Sequence, residues 1–196
     1  MEKLQSLKGL YVRQKKEWTE ILTNLEGKNK YVVSTPDGHE IYYAAEDKGS
    51  LLLRWFLKAF RPFNLSVITK ENEVVIRVVR PFKFYFHQLN ILNNEGESLG
   101  VLKRQFSILR RRYTLTDKSG KEIFHLLGPL LKPWTFVIVK DHIEVGTISK
   151  KWSGLMKEGF TDADNFKIVF PEEWNIESKA LLLGAVFLID FVHFEK

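Results

Sequence analysis

The chain of 196 residues carries 30 Lys and Arg against 24 Asp and Glu, for a formal net charge of +6. Hydrophobic residues make up 44% of it and charged residues 28%, which excludes an intrinsically disordered chain because there is ample apolar material for a core. It has no cysteine, which excludes disulfides, thiol catalysis and cysteine-ligated metal centres.

The first residues, Met1-Glu2-Lys3-Leu4-Gln5, contain no apolar stretch of the kind found in secretory signals. We therefore expect a cytoplasmic protein. Its positive balance makes anionic surfaces the expected electrostatic partners.

Polar turn signals recur along the first three quarters of the chain. They are Pro36-Asp37-Gly38, Lys70-Glu71-Asn72, Asn93–Gly96, Asp117–Gly120 and Asp141-His142. Short runs of β-branched and aromatic residues lie between these turns, and such runs predict an antiparallel meander over about residues 30–170. A meander of about ten strands in one small domain is expected to close into a barrel or a sandwich, so we predict a single all-β domain over residues 1–196.

The last segment has a different pattern. No turn signal interrupts residues 172–194, and Pro171 stands where a helix would begin. Ala180–Ile189 is apolar on every face, so a helix here has to be buried all round, in lipid or in protein. The run is shorter than the roughly 20 residues of a membrane span. This favours a central helix over about residues 172–191 inside a barrel, with a membrane-spanning helix as the alternative.

Successive connections of an up-and-down sheet alternate between its two ends, so the polar turns are expected together at one end. The opposite connections fall at about residues 46–63, 80–84, 105–109, 128–134 and 149–165. They include apolar stretches such as Leu51–Phe60 and Leu130–Trp134. Loops are normally polar, and aromatic residues mixed with Lys and Arg are typical of a membrane-interface rim. The alternative is that these side chains only close that end of the barrel.

Two long motifs make the chain recognisable. They are Val145–Gly154, which continues into Glu158–Phe166, and Gly184–Phe191. With Arg61-Pro62-Phe63 and Arg80-Pro81 in the same order, the chain resembles the phospholipid scramblase family over nearly its whole length. The resemblance implies a tubby-like fold, a closed antiparallel barrel of about 10–12 strands around a hydrophobic C-terminal helix.

The same resemblance implies calcium-responsive, ATP-independent movement of phospholipids in both directions between bilayer leaflets. The alternative function is a membrane-docking or nuclear lipid-binding adaptor without scrambling activity. The resemblance implies a peripheral location on the inner face of the plasma membrane, with the nucleus as a second location. Phospholipid membranes and anionic headgroups are the expected partners, with a homo-oligomer and a nuclear-import receptor as further ones, and nucleic acid is not the first choice.

The chain lacks the Pro-rich N-terminal extension and the cysteine clusters of many animal members of that family, so we expect neither adaptor-type binding nor palmitoylation. We hypothesise that inserted aromatic side chains replace the acyl chains and that basic groups gather headgroups. The predicted membrane-binding residues are Trp55, Phe56, Phe60, Arg110, Arg111, Arg112, Trp134, Lys150, Lys151 and Trp152.

The candidate metal site is a low-affinity calcium site. Asp162 and Asp164 stand at positions one and three of a twelve-residue segment that ends in Glu173, and hard cations prefer such oxygen ligands. However, Lys167 occupies the sixth position, where an EF-hand loop needs Gly, and the residues after it alternate as in a strand. The alternative is that the two aspartates only shape a turn.

No covalent catalysis is predicted. Gly96-Glu97-Ser98-Leu99-Gly100 matches the Gly-x-Ser-x-Gly pattern of hydrolases, but that motif has to lie between a strand and a helix, and here we expect a hairpin. An esterase would depend on Ser98 alone. The five histidines are scattered without metal-ligand spacing.

Overall fold

The computed structural model describes residues 1–15, 29–47, 62–83, 87–129, 131–132, 134–151 and 165–194. A short 3-10 helix, Glu2–Leu4, precedes the first strand. The strands are β1 (Gly9–Gln14), β2 (Lys30–Ser34), β3 (Glu40–Glu46), β4 (Phe63–Ile68), β5 (Val74–Arg80), β6 (Gln88–Asn93), β7 (Ser98–Gln105), β8 (Arg110–Asp117), β9 (Glu122–Pro129), β10 (Thr135–Lys140), β11 (Ile143–Lys151) and β12 (Asn165–Val169). Helix α1 spans Ile176–His193.

The strands form one closed antiparallel barrel in which each strand pairs with the next along the chain. Strand β1 closes it by pairing with β12, from Gly9 opposite Val169 to Arg13 opposite Asn165. The predicted fold class, a closed antiparallel barrel around a hydrophobic C-terminal helix, is confirmed. The predicted meander began near residue 30 and so omitted β1, which no turn signal marks.

Helix α1 lies inside the barrel, and the side chains of residues 179–191 are buried on all faces. It begins at Ile176, a few residues later than predicted, because Pro171–Trp174 forms a turn and Asn175 caps the helix by accepting a hydrogen bond from the Ser178 amide at 3.0 Å. In the described part of the chain, no helix has the length and apolar character needed to cross a bilayer. The structure thus has the helix inside the barrel, which is the position that the sequence favours.

Two glycines allow the helix and the wall to approach closely. A Cβ at Gly184 of α1 would lie 2.8 Å from Cγ1 of Ile91 on β6. A Cβ at Gly100 of β7 would lie 3.1 Å from both δ carbons of Leu181 of the helix and 2.2 Å from the Thr116 carbonyl oxygen of β8. Larger residues at these positions would push the helix away from the wall, so the small residues set the fit of the bore.

The connections alternate between the two ends of the barrel. The polar hairpin turns at residues 35–39, 69–73, 94–97, 118–121 and 141–142 lie at one end, together with the start of β1 and the start of α1. We call this the turn end. Strands β1, β3, β5, β7, β9 and β11 finish at the other end, which we call the rim end, and α1 finishes there. The separation of polar turns from the remaining connections thus follows the predicted alternation.

A buried polar cluster holds the last turns of α1 at the rim end. The Tyr31 hydroxyl donates to Oδ2 of Asp190 at 2.8 Å, and Nζ of Lys150 lies 3.7 Å from Oδ1. The side chains of Lys150 and Asp190 are only 5% and 4% exposed. Removing one partner of such a pair leaves a buried charge, which typically costs about 3–5 kcal/mol. The cluster therefore fixes the depth and rotation of the helix in the bore.

Lys179 performs the corresponding task at the turn end. It is fully buried, and its Nζ donates to the Gln5 carbonyl and to the Glu172 carbonyl, the second at 2.8 Å. Burial lowers the pKa of this ammonium group. The N-terminal segment, whose Leu4 is also fully buried, is tied through Lys179 to the first turn of the helix.

Two histidines at the rim end are held neutral. Burial, reinforced by the positive charges of Arg111 and Arg104, lowers the pKa of His193 to about 3. Burial and the Arg80 guanidinium, which donates to Nδ1 of His87, lower the pKa of His87 to about 4. The interior of the rim end is therefore a region of positive potential.

Replacing Tyr31 by Phe tests the polar cluster. Tyr31→Phe keeps the ring against Phe187 but removes one hydrogen bond to the buried Asp190 carboxylate, and we expect it to lower the free energy of unfolding by about 1–3 kcal/mol. Tyr11→Phe is the matched control, because no hydrogen bond of that hydroxyl exists in the described structure. Urea denaturation measures both, and equal losses would contradict this role of Tyr31.

The histidines predict a loss of stability on mild acidification. Because their folded pKa values lie below the usual value of about 6.5, the unfolded chain binds more protons, and stability is full above that value and falls as pH drops toward 4. Each contributes at most about 1.4 kcal/mol per pH unit. We expect His87→Gln/His193→Gln to flatten the melting-temperature profile between pH 7 and pH 5. His142→Asn, in an exposed turn, should keep the parent's slope.

Candidate functional site

The rim end carries a group of exposed apolar side chains. Phe106, Ile108 and Leu109, in the connection between β7 and β8, are 76%, 79% and 76% exposed, and Leu131 after β9 is 96% exposed. Phe82 after β5 and Trp134 before β10 are exposed as well. We call these six side chains the apolar rim. Exposed apolar groups collected in one place mark an interaction surface rather than ordinary surface.

The turn end has a different surface. Outside the apolar rim, the exposed large hydrophobic side chains of the described structure are Ile143 and Val169, which lie at or near the turn end. Its hairpin turns are built from polar residues: the Asp117 carboxylate accepts from the Ser119 and Lys121 amides, and the Asn93 side chain does the same for Glu95 and Glu97. Polar turns of this kind are stable at a surface exposed to water.

Charge is divided between the ends in the same way. Among the described residues, the connections at the rim end and the strand residues beside them carry two acids, the buried Glu46 and the exposed Asp47. Against these two stand the described cations Lys30, Arg80, Lys83, Arg104, Arg110, Arg111, Lys132, Lys150 and Lys151. Arg13 and Lys15 are not counted here, because both form ion pairs with Glu40. The hairpin turns and the strand residues beside them are mostly acidic: Asp37, Glu40, Glu71, Glu73, Glu95, Glu97, Asp117, Glu122, Asp141 and Glu144. The apolar rim therefore lies at the positive pole of the barrel.

The three consecutive arginines of β8 do not act as one group. Strand alternation places Arg111 on the side of the buried Tyr113, where its guanidinium lies 4.5 Å from the Phe136 ring centroid. Burial lowers the pKa of Arg111. Arg110 and Arg112 are exposed on the outer wall. The structure thus leaves two of the three predicted arginines available to a surface ligand.

The other predicted membrane-binding residues are placed as follows. Trp134 belongs to the apolar rim. Lys150 points into the barrel toward Asp190 and so has a role in the core. The backbone of Lys151 pairs with Asn165, and its side chain, like Trp55, Phe56, Phe60 and Trp152, lies outside the described residues.

The described structure does not bring the predicted calcium ligands together. Asp162 and Asp164 lie outside the described residues, whereas Glu173 lies beyond the far end of β12, at the turn end. The strand itself rises about 13 Å from Asn165 to Val169, so Glu173 is separated from Asn165, at the rim end of β12, by the length of the barrel wall. Within the described ranges, no group of three or more acidic or histidine side chains could hold a metal ion.

The sequence prediction covers half of the apolar rim. Trp134 is a predicted membrane-binding residue, Leu131 lies in the predicted rim stretch Leu130–Trp134, and Phe82 lies in the predicted connection at about residues 80–84. Phe106, Ile108 and Leu109 follow β7 in a connection assigned to the correct end, but they are not among the predicted membrane-binding residues. The sequence signal that could have identified this part of the rim is that three of the four residues between β7 and β8 are large and apolar.

The hydrolase-like motif does not form a nucleophile elbow. Gly96 lies in the hairpin turn between β6 and β7, and Ser98 begins β7, which continues as a strand to Gln105. The strand-to-helix turn that exposes a nucleophilic serine is therefore not present at this position.

Comparison with known proteins identifies the family. A family model described as Scramblase matches residues 1–196. The chain is 31% identical over its full length to phospholipid scramblase 1 of Mus musculus, of which it covers 64%, and 29% identical to phospholipid scramblase 2 of Homo sapiens, of which it covers 70%. The chain thus spans about two thirds of the length of these curated relatives.

An X-ray structure of a protein from Arabidopsis thaliana shares the fold. It superposes with a TM-score of 0.53 over 96% of this chain and 94% of that one, at 11% sequence identity, which bears on fold alone. A twelve-stranded closed barrel around a central helix is the tubby-like arrangement, so that part of the prediction is confirmed. With its whole length matched by the family model and by phospholipid scramblases at about 30% identity, the chain belongs to the Scramblase family.

Proposed function

We propose that this protein docks through its rim end on the cytoplasmic face of a membrane and moves phospholipids between the two leaflets without ATP. The observation that carries the docking step is the coincidence of the apolar rim with the positive pole of the barrel. Fully burying a large apolar side chain contributes about 1.5–3 kcal/mol, and each Lys or Arg near an anionic leaflet contributes about 1 kcal/mol. A few of each are enough for reversible attachment.

The filled bore restricts how lipid could cross. Helix α1 occupies the interior, and its Lys179 and Asp190 are buried, so withdrawing the helix would expose two charges and a long apolar surface. We therefore favour local thinning of the bilayer around the inserted rim over release of the helix. An oligomer whose rims act together is compatible with the same mechanism.

Calcium responsiveness is part of the proposal. Asp162 and Asp164 are the proposed ligands, and Glu173 is omitted because it belongs to the turn end. Neutralising two aspartates next to β12, whose first residue lies at the rim end, would favour approach of that end to anionic lipid.

The filled bore also favours a second function. A barrel without an internal lipid path is well suited to be a docking module that carries no transport activity of its own. Both functions use the same rim and differ only in what happens to lipid after docking.

The docking step is tested by removing apolar area at the rim. We expect Ile108→Ser/Leu109→Ser to weaken binding to anionic vesicles at least tenfold in a flotation assay, because both side chains lose their favourable transfer into lipid. Ile143→Ser/Val169→Ser removes two exposed apolar residues from the turn end and should bind like the parent. Equal binding by all three proteins would refute docking through the rim.

The transport step is tested by dithionite quenching of a fluorescent phospholipid in reconstituted vesicles, with and without millimolar calcium. We expect quenching beyond the outer-leaflet half in calcium, loss of the calcium response in Asp162→Asn/Asp164→Asn, and a parent-like response in Glu173→Gln. Quenching that stops at half while the protein stays bound would assign the docking-module function instead. Loss of the response in Glu173→Gln alone would overturn the assignment of the ligands.

A further inference from the structure

A groove on the outer wall of the barrel opens beside the apolar rim. It has a volume of about 500 Å³ and runs along β8, β9 and β10. Phe106 and Ser107 border it at the rim end, Arg110 and Arg112 line it next, and Leu127 lies on its floor. This volume lies within the range of small-ligand sites, roughly 300–1,000 Å³.

Arg110 and Arg112 face this groove together. They are two positions apart on β8, opposite Pro129 and Leu127 of β9, so their Cα atoms are about 7 Å apart on the same face. Neither guanidinium forms a hydrogen bond or an ion pair within the described part of the chain. Two long side chains at this spacing can converge on a single anion, and arginine matches the geometry of phosphate oxygens.

The depth of the two arginines relative to the rim is that of a lipid phosphate. Arg110 directly follows the exposed Leu109, and Arg112 lies about 7 Å further along the strand. The headgroup layer of a bilayer occupies roughly 5–8 Å on each side of the hydrocarbon core. If Ile108 and Leu109 enter the hydrocarbon, Arg110 and Arg112 therefore stand at the level of the phosphates.

The fold alone gives no reason for this concentration of positive charge. Arg111 separates the two groove arginines in the chain, and Arg104 of β7 pairs with the neighbouring Tyr113. Arg110 and Arg112 lie about 7 Å apart on the same face, so their like charges repel each other. The carboxylates of the groove, Glu122 and Asp141, lie toward the turn end, away from Arg110. A bound anion would relieve the repulsion at the rim end of the groove.

We propose that this groove binds the phosphate of an anionic phospholipid headgroup while the acyl chains of that lipid stay in the leaflet that the rim enters. The inference deepens the proposed function, since it rests on docking through the rim end. It assigns separate tasks to neighbouring residues: Ile108 and Leu109 anchor the protein, and Arg110 and Arg112 select the headgroup. The occupant is a membrane lipid rather than free phosphate, because Phe106 adds an apolar border to the side of the groove that faces the bilayer.

The test compares two charge-matched variants of the full chain. Arg110→Ser/Arg112→Ser removes the groove arginines, and Lys118→Ser/Lys121→Ser removes two exposed lysines from the turn end of the same pair of strands. Binding is measured to vesicles of phosphatidylcholine alone and with 30% phosphatidylserine as a roughly physiological anionic fraction. We expect the groove variant to lose at least tenfold in affinity for the anionic vesicles and the lysine variant less than twofold. Equal losses would show general charge attraction and overturn the site.

A second measurement locates the ligand without vesicles. Amide NMR shifts are followed while the parent is titrated with inorganic phosphate, with glycerophosphoserine, or with dihexanoylphosphatidylserine kept monomeric. We expect shifts on β8 and β9 around Arg110, Arg112 and Leu127, with the short-chain lipid binding tightest. Inorganic phosphate binding as tightly as the lipid, or shifts elsewhere, would overturn the proposal.

The two measurements also separate the groove from the docking step. Headgroup binding in the groove by a parent that does not bind vesicles would refute docking and leave the site. Vesicle binding that is unchanged in Arg110→Ser/Arg112→Ser would refute the site and leave docking through Ile108 and Leu109.

Discussion

A helix that is apolar on every face has to be surrounded, and this requirement organises the whole molecule. In α1 the residues from Lys179 to Phe191 are buried, so no face is available to water. A sheet can satisfy such a helix only by closing around it, and closure requires β1, at the beginning of the chain, to pair with β12, just before the helix. The helix and the barrel are thus mutually dependent, since an empty bore of this width would be as unfavourable as an exposed helix.

The order of the strands then determines the functional surface. Because every strand pairs with the next, successive connections alternate between the two ends of the barrel. Alternate connections can therefore form two surfaces of different composition. Among the described residues, polar turns and most carboxylates lie at one end, while the apolar rim and most cations lie at the other. The buried pairs at either end of α1, Lys179 with two carbonyls and Asp190 with Tyr31 and Lys150, keep the framework fixed between these surfaces.

Much of this architecture can be predicted from the sequence because turn residues and apolar periodicity are local signals. The hairpins, the interior helix and the alternation of ends follow from such signals. Strand β1 does not, because its partners are distant in the chain and no turn precedes it. The assignment of Arg110, Arg111 and Arg112 to two different faces requires knowing which face of β8 is buried, and the structure shows this through Tyr113 and Leu115. Lys150 resembles any surface lysine until Asp190 of the helix is placed beside it.

The separation of charge along the barrel also has a kinetic consequence. The described residues place cations toward one pole and carboxylates toward the other, which gives this part of the protein an electric dipole along the barrel axis. An anionic surface exerts a torque on such a dipole within about a Debye length, some 8 Å at physiological ionic strength. In the proposed docking, this torque rotates the protein before contact, so that the pole bearing Phe106 and Leu131 arrives first. Salt then controls how often an encounter is productive, whereas the residence time depends on the apolar side chains, which salt scarcely affects.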